Sequence, residues 1–233
     1  MRYSYPGSLM GLLVMLALTG CGGDKATKPN APAVLLPAGT PEADSPAHLV
    51  SRLEATWESK VGAEYGKLLT NDFRFHFSLD VDPDLAYQYG ENWRRADEIA
   101  ALTNLFLGFR DSTGQMVAGA GKINLTIYGY VEDDSTHADS TAQYRRFVIP
   151  RFEASYAIPT GSGPFGLPRA TRQDLFLVRG DAAVLPSGAI ADTTRWYIRG
   201  WDDGATDYYA RKARPTTQVY QYSLGALKAA YRD

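Results

Sequence analysis

The chain has 233 residues, 45% hydrophobic and 21% charged, which is ordinary globular composition with enough apolar content for one sizeable core. Its formal net charge of -2 gives no field that would call for nucleic acid. The single cysteine, Cys21, excludes an internal disulfide framework and any all-cysteine metal site.

Residues 1–20 read as a secretory signal. Arg2 supplies the positive start, and Leu9 to Leu18 is an apolar run well short of the about 20 residues needed to cross a bilayer. The run ends in Leu18-Thr19-Gly20-Cys21, which resembles the bacterial lipoprotein signature. That resemblance implies cleavage before Cys21 and acylation of its sulfur and new amino group, so Cys21 is the expected lipidation site. The alternative is a plain secreted protein with a chance cysteine. Several acyl chains, at about 0.8 kcal/mol per buried methylene, make a lasting anchor. Gly22 stands where inner-membrane lipoproteins carry Asp, so the resemblance points to the outer membrane facing the periplasm in a Gram-negative cell envelope. Residues 21–45 hold the cysteine and a linker rich in Gly, Pro and small polar residues, read as a flexible tether. The folded domain is expected over residues 46–233.

Ser45-Pro46 is a helix start, with Ser as N-cap and Pro in the first turn. Leu49, Leu53 and Trp57, then Val61, Tyr65, Leu68 and Leu69, continue an apolar face to about Thr70. Gly62 and Gly66 predict a break near Ser59 to Gly62. Asn71 to Ser78 alternates Phe73, Phe75 and Phe77 with polar residues, the pattern of a half-buried strand. An Asp-, Pro- and Tyr-rich loop follows. Ile99, Leu102, Leu105 and Phe106 then sit at helical spacing, with Gly108 placed as a C-cap.

Asp111 to Gly114 is turn chemistry. Strand patterns follow at Lys122 to Val131, Tyr144 to Ile158, Arg172 to Val178 and Arg195 to Trp201. Glu132 to Thr141 reads as an acidic turn region. Pro150 predicts a bulge in the long strand, because proline donates nothing to a ladder. Asp202-Asp203-Gly204 reads as a turn, and Leu224, Leu227 and Tyr231 predict a short terminal helix. The fold class is α+β: N-terminal helices packed on a strongly curved, mostly antiparallel sheet, forming a cone with an apolar cavity.

This order, with the strand Asp72 to Phe77, the helix opening Arg95-Ala96-Asp97-Glu98-Ile99 and the late strand Arg195 to Trp201, resembles the nuclear-transport-factor-2-like superfamily over about residues 46–201. That superfamily includes polyketide-cyclase-like and ketosteroid-isomerase-like proteins. The chain also resembles bacterial lipoproteins of unassigned role that join such a domain to a lipid anchor. Ketosteroid-isomerase-like members use an Asp base with a Tyr and a protonated Asp, and no Tyr or Asp here aligns to those roles. Trp57, Tyr65, Phe73, Phe75, Phe77 and Phe106 are the candidate pocket walls, or simply core.

Other motifs point to loops. Gly161 to Gly166 satisfies G-x-G-x-x-G, but Pro164, Pro168 and a following strand deny the helix that a dinucleotide needs. Asp80, Asp82, Asp84 and Glu91 have calcium-loop spacing, with Leu85 where that loop needs Gly. His48, His76 and His137 form no ligand pair, so no metal site and no cofactor is expected. Arg211, Lys212 and Arg214 read as a solvated loop, or as a contact to anionic lipid.

The expected function is therefore a lipid-anchored cell-envelope module, non-catalytic, that binds a small apolar ligand or assembles with other proteins. Two alternatives stand beside it: a small acid–base enzyme of isomerase, cyclase or hydratase type using a buried Asp or Tyr, and a structural subunit of an envelope complex. The expected partners are the membrane, through lipid on Cys21, and a small apolar ligand. Dimerisation through the exposed sheet face is common in the superfamily and enters as an expectation of the resemblance.

Overall fold

The computed structural model describes residues 35–78, 83–132, 143–157, 164–166, 171–206 and 224–232. The signal, Cys21, His137, Asp80, Asp82, Gly161 to Gly163 and the basic run at 211–214 lie outside the described residues. Helix α1 (Pro46–Glu58) starts as its sequence dictates. The Ser45 side chain accepts from the His48 N–H at 3.2 Å, and Pro46 occupies the first turn. The chain breaks at Lys60, a non-glycine residue at φ 56, before α2 (Gly62–Lys67). A Cβ at Gly62 would stand 3.3 Å from Thr103 Oγ1, and one at Gly66 3.2 Å from Ile99 Cδ1. These glycines therefore do more than interrupt a helix. They let α2 lie close against α4 (Arg95–Leu107).

Strand β1 (Leu69–His76) begins at Leu69, so the helical region ends earlier than its apolar pattern predicts. The loop expected before α4 instead holds α3 (Pro83–Tyr89) and a 3-10 turn over Gly90–Asn92. A short hairpin of β2 (Phe109–Arg110) and β3 (Met116–Val117) closes around Asp111 to Gly114. Gly108 ends α4 at φ 79. A Cβ there would lie 2.6 Å from the Val117 carbonyl oxygen, so both the turn and the hairpin's approach demand glycine.

The expected strand over Lys122 to Val131 is two pieces, β4 (Lys122–Ile127) and β5 (Val131–Glu132), divided at Gly129 with φ 84. Strands β6 (Tyr144–Ala157), β7 (Pro164–Gly166), β8 (Thr171–Arg179) and β9 (Trp196–Thr206) complete the main sheet. Its order is β1-β9-β8-β6-β4, with β5 and β7 added on β6. Among the described strands, only β1 and β9 pair in parallel. The register of β6 shifts between Ile149 and Phe152, the bulge that Pro150 predicts.

A further sequence expectation is overturned. Asp202-Asp203-Gly204 is not a turn, because β9 runs through it, with Asp202 opposite Asp174 and Asp203 opposite Gln173. Aspartate favours turns when its carboxylate bonds the local backbone. Here Asp203 instead accepts from Gln173 and from the backbone of Gly225, and Gly204 is pressed against the Arg172 carbonyl oxygen.

Helix α5 (Leu224–Ala230) returns to the interior. The core is one cluster reaching from α1 through β1, α4 and the sheet to α5. It also takes in Ala43, whose carbonyl accepts from the Trp196 N–H at 2.7 Å. Residues 41–43 therefore pack on the domain rather than hang free of it. The free edge of β1 is met by the segment before α4, where the Phe75 N–H donates to the Trp93 carbonyl. No helix among the described residues is long and apolar enough to cross a membrane.

Candidate functional site

The period-two alternation of β1 divides its side chains between two environments. Phe73 and Phe75 point inward with Phe77 just beyond, while Asp72, Arg74 and His76 point to the opposite face of the sheet. All six expected pocket walls are brought together in the core. Trp57 of α1 meets Tyr65 of α2 edge-on at 6.4 Å and Phe106 of α4 at 6.3 Å, and Phe75 meets Phe77 at 5.1 Å. They are 0–7% exposed, and they pack against one another rather than line either of the two clefts described below.

Within that aromatic interior sits a polar cluster absent from the sequence expectations. Glu98 of α4 is 0% exposed. Its Oε1 accepts from the Tyr65 hydroxyl at 2.5 Å, and its Oε2 accepts from Trp93 Nε1 at 2.9 Å. Lys228 of α5 places Nζ 2.8 Å from Glu98 Oε1. That contact is a fully buried ion pair. The same Nζ lies 3.8 Å from the centre of the Phe75 ring and 4.1 Å from that of Trp201. A second chain of bonds runs beside it. Trp201 Nε1 donates to Gln173 Oε1 at 2.5 Å, Gln173 Nε2 donates to Asp203 Oδ1 at 2.6 Å, and the Gly225 N–H donates to Asp203 Oδ2 at 2.8 Å.

Burial sets the titration of these groups. Desolvation, with Glu98 beside it, pushes the Tyr65 hydroxyl well above its ordinary value of 10.0. Desolvation lowers the Lys228 ammonium from 10.5, opposed by the attraction of Glu98 and Asp203. The signal for this cluster was present in the sequence. Glu98 occupies the same helical stripe as Leu102 and Leu105, and Lys228 the same stripe as Leu224, Leu227 and Tyr231. A charged residue on an apolar stripe calls for an opposite charge to meet it.

The other face of the sheet carries a cleft of about 350 Å³. Phe176 and Leu177 of β8, Gly200 of β9 and Tyr144 of β6 give it apolar surface. Around them stand paired charges: Arg199 with Asp72 at 2.9 Å, and His76 Nδ1 with Asp202 at 2.6 Å. Gly200 is required there by packing, because a Cβ would stand 3.2 Å from the Phe176 ring. A smaller cleft of about 280 Å³ lies between residues 42–43 and the start of β9. It is filled with linked charges, Arg52 with Glu64 at 3.0 Å and Arg195 with Glu42 at 2.7 Å.

The remaining expected candidates are placed as follows. His48 pairs with Asp44 on the surface. Among the described residues, no group of three His, Cys, Asp or Glu side chains is arranged to hold a metal ion. Of the expected calcium spacing, Asp84 lies in the first turn of α3 and Glu91 in the 3-10 turn that follows. Pro164 to Gly166 forms β7, paired with β6.

No family model matches the chain, and no curated protein matches it. Solved structures do. A Mycobacterium tuberculosis protein of unknown function is 13% identical, covering 80% of this chain and 86% of its own, with a TM-score of 0.42. An NTF2-like protein of unknown function in nutrient uptake from Rhodospirillum rubrum is 12% identical over 69% of this chain and 98% of its own, with a TM-score of 0.40. A nuclear transport factor 2 (NTF2-like) superfamily protein from Salmonella enterica is 9% identical over 75% of this chain and 92% of its own, with a TM-score of 0.37. The described part of this chain is α+β, with helices packed on one face of an open mixed sheet.

Proposed function

We propose that this protein is a lipid-anchored module of the cell envelope, held through Cys21, that binds a small, largely apolar ligand on the outer face of its sheet and performs no chemistry on it. One observation carries the reading. The aromatic interior is packed shut and its buried charges are committed to one another, while the outer face keeps a cleft of about 350 Å³ with an apolar floor. That volume suits a small ligand. The paired charges at its rim, Arg199 with Asp72 and His76 with Asp202, would orient the ligand. The Leu18-Thr19-Gly20-Cys21 signature supports the anchor, and Gly22 supports the outer membrane.

The test is native mass spectrometry of residues 22–233 purified from cells. The expected result is a bound small molecule that is lost in Phe176→Asp, which puts a charge on the cleft floor while the core aromatics stay in place. A clean polypeptide mass, or a ligand unaffected by Phe176→Asp, would overturn the outer-face reading. Turnover that depends on Glu98 or Tyr65 would overturn the non-catalytic one.

A further inference from the structure

The loop between β8 and β9 is an apolar projection on a fixed neck. Between Asp181 and Asp192 the sequence runs Ala-Ala-Val-Leu-Pro-Ser-Gly-Ala-Ile-Ala, without a charged side chain in a protein that is 21% charged. The two ends of the loop close on each other. The Gly180 N–H donates to the Arg195 carbonyl at 2.8 Å and the Arg195 N–H to the Asp192 carbonyl at 3.0 Å. A Cβ at Gly180 would fall 2.0 Å from that Asp192 oxygen, so the neck closes only around glycine. At the tip, the Ala189 N–H donates to the Pro186 carbonyl across a turn that Gly188 completes at φ 84. Ile190 is 87% exposed, the highest value among the described large apolar side chains, and Val184 is 50% exposed. Exposed apolar side chains grouped on one uncharged loop mark a contact with a membrane or a partner.

The neighbour of this loop selects the membrane. The chain that leads back to Cys21 joins the domain beside the loop's neck. The Ala43 carbonyl accepts from the Trp196 N–H at 2.7 Å, and the Pro41 carbonyl accepts from Arg52 Nη1 at 2.9 Å. Arg195 pairs with Glu42 of the tether at 2.7 Å and with Asp192 of the loop at 3.3 Å, so one guanidinium holds both. Helix α1 starts here, and its 13 residues, at about 1.5 Å each, carry the chain about 20 Å away. Past its other end, Lys60 Nζ donates to the Ala120 carbonyl, just after β3. The β2–β3 hairpin is thus at the end of the domain remote from the tether.

We propose that the loop over residues 184–191 inserts into the surface of the bilayer that holds the lipid on Cys21, and that the domain stands on this end. This rests on the anchor proposed above and takes no part of the outer-face cleft. A few apolar side chains would hold a free protein to a bilayer only weakly. A flexible tether of about 20 residues, spanning about 25 Å, makes their insertion an intramolecular step. The charges beside the loop are paired, Asp192 with Arg195 and Asp181 with Arg179 at 2.7 Å. The contact is therefore apolar rather than electrostatic, and it needs no anionic lipid and withstands salt.

The test couples residues 21–233 through Cys21, the single cysteine, to a maleimide-bearing lipid in phosphatidylcholine vesicles. The outcome then does not depend on whether cells acylate Cys21, which the mass of the N-terminal peptide from cells decides separately. The four native tryptophans are 0–9% exposed, so a tryptophan placed on the surface can be read by difference. The emission added by Ile190→Trp should shift to the blue on coupling, and phosphatidylcholine brominated along its acyl chains should quench it, in low and high salt alike. Met116→Trp puts the same probe on the remote hairpin, at a side chain 57% exposed, and should be neither shifted nor quenched. Val184→Trp should be quenched, and adding Ile190→Asp should abolish that quenching. Unquenched emission from Ile190→Trp would overturn the proposal, as would equal quenching at positions 190 and 116. Quenching of Ile190→Trp that requires anionic phosphatidylglycerol and disappears in salt would overturn it too, by showing a contact through charge.

Discussion

Glu98 on α4 and Lys228 on α5 meet at 2.8 Å with side chains 0% and 1% exposed, joining two helices far apart in sequence across the centre of the core. A pair this deeply buried has an asymmetric energetic role. Removing one partner leaves a charge that water cannot reach, at a cost of about 3–5 kcal/mol, whereas replacing the pair with apolar groups is often neutral. Glu98→Leu should therefore destabilise the protein strongly in urea melts, and Lys228→Met less. The double variant should recover most of the loss. A double variant as unstable as the sum of the singles would show that the two side chains are not coupled.

Tyr65 makes the alkaline limb of stability readable. Its hydroxyl is raised well above 10.0 by burial and by Glu98, so the unfolded chain loses this proton at a lower pH than the folded one. The stabilisation is fully present below pH 10.0 and is lost as pH rises toward the folded value. Lys228 acts in the opposite sense below 10.5, because its folded value is lowered and stability rises with pH in that window. Urea midpoints from pH 9 to 11 should fall more steeply in the wild type than in Tyr65→Phe. Identical slopes would refute the assignment.

The contrast between what the sequence reveals and what it hides has a physical basis. Ser45-Pro46, the Phe73, Phe75 and Phe77 alternation, Gly108 and Pro150 act through local backbone geometry, so each is legible from its neighbours alone. Asp203 misleads because its partners, Gln173 and Gly225, are distant in sequence, and a local reading sees only turn chemistry. The six aromatic candidates all lie in the packed core, and aromatic composition does not distinguish a pocket wall from a filled core. The departure of α5 from a plain apolar plug is written in Lys228. Its partner was identifiable only as some acid on another buried stripe.

Gly225 tests how tightly α5 is seated. A Cβ there would stand 2.6 Å from Phe77 Cδ1 and 3.0 Å from Asp203 Oδ2. The Phe77 ring cannot yield, because it packs on Phe75 at 5.1 Å and Trp93 at 5.3 Å. Gly225→Ala should cost about 1–3 kcal/mol through overpacking and should raise hydrogen exchange in α5 more than in β8. Uniform loss of protection across the domain would mean that α5 does not open separately from the rest.

Asp181 offers a surface counterpart. Its carboxylate accepts from Arg179 Nε at 2.9 Å and Nη2 at 2.7 Å, and from Gln143 Nε2 at 3.0 Å. These bonds, Arg179 first, hold its pKa down from 3.8 to about 2. The folded value is depressed, so its contribution is present above pH 3.8 and is lost as pH falls toward about 2. Carbon-detected NMR titration should find Asp181 titrating near 2 in the wild type. Replacement of Arg179 by Ala should move it back toward 3.8, while Gln143→Ala should move it less, because one neutral donor does less to hold a carboxylate ionised than a guanidinium bonding it through two nitrogens. An Asp181 that titrates near 3.8 in all three proteins would show that the surface pair does not persist in solution, as holds for many exposed ion pairs.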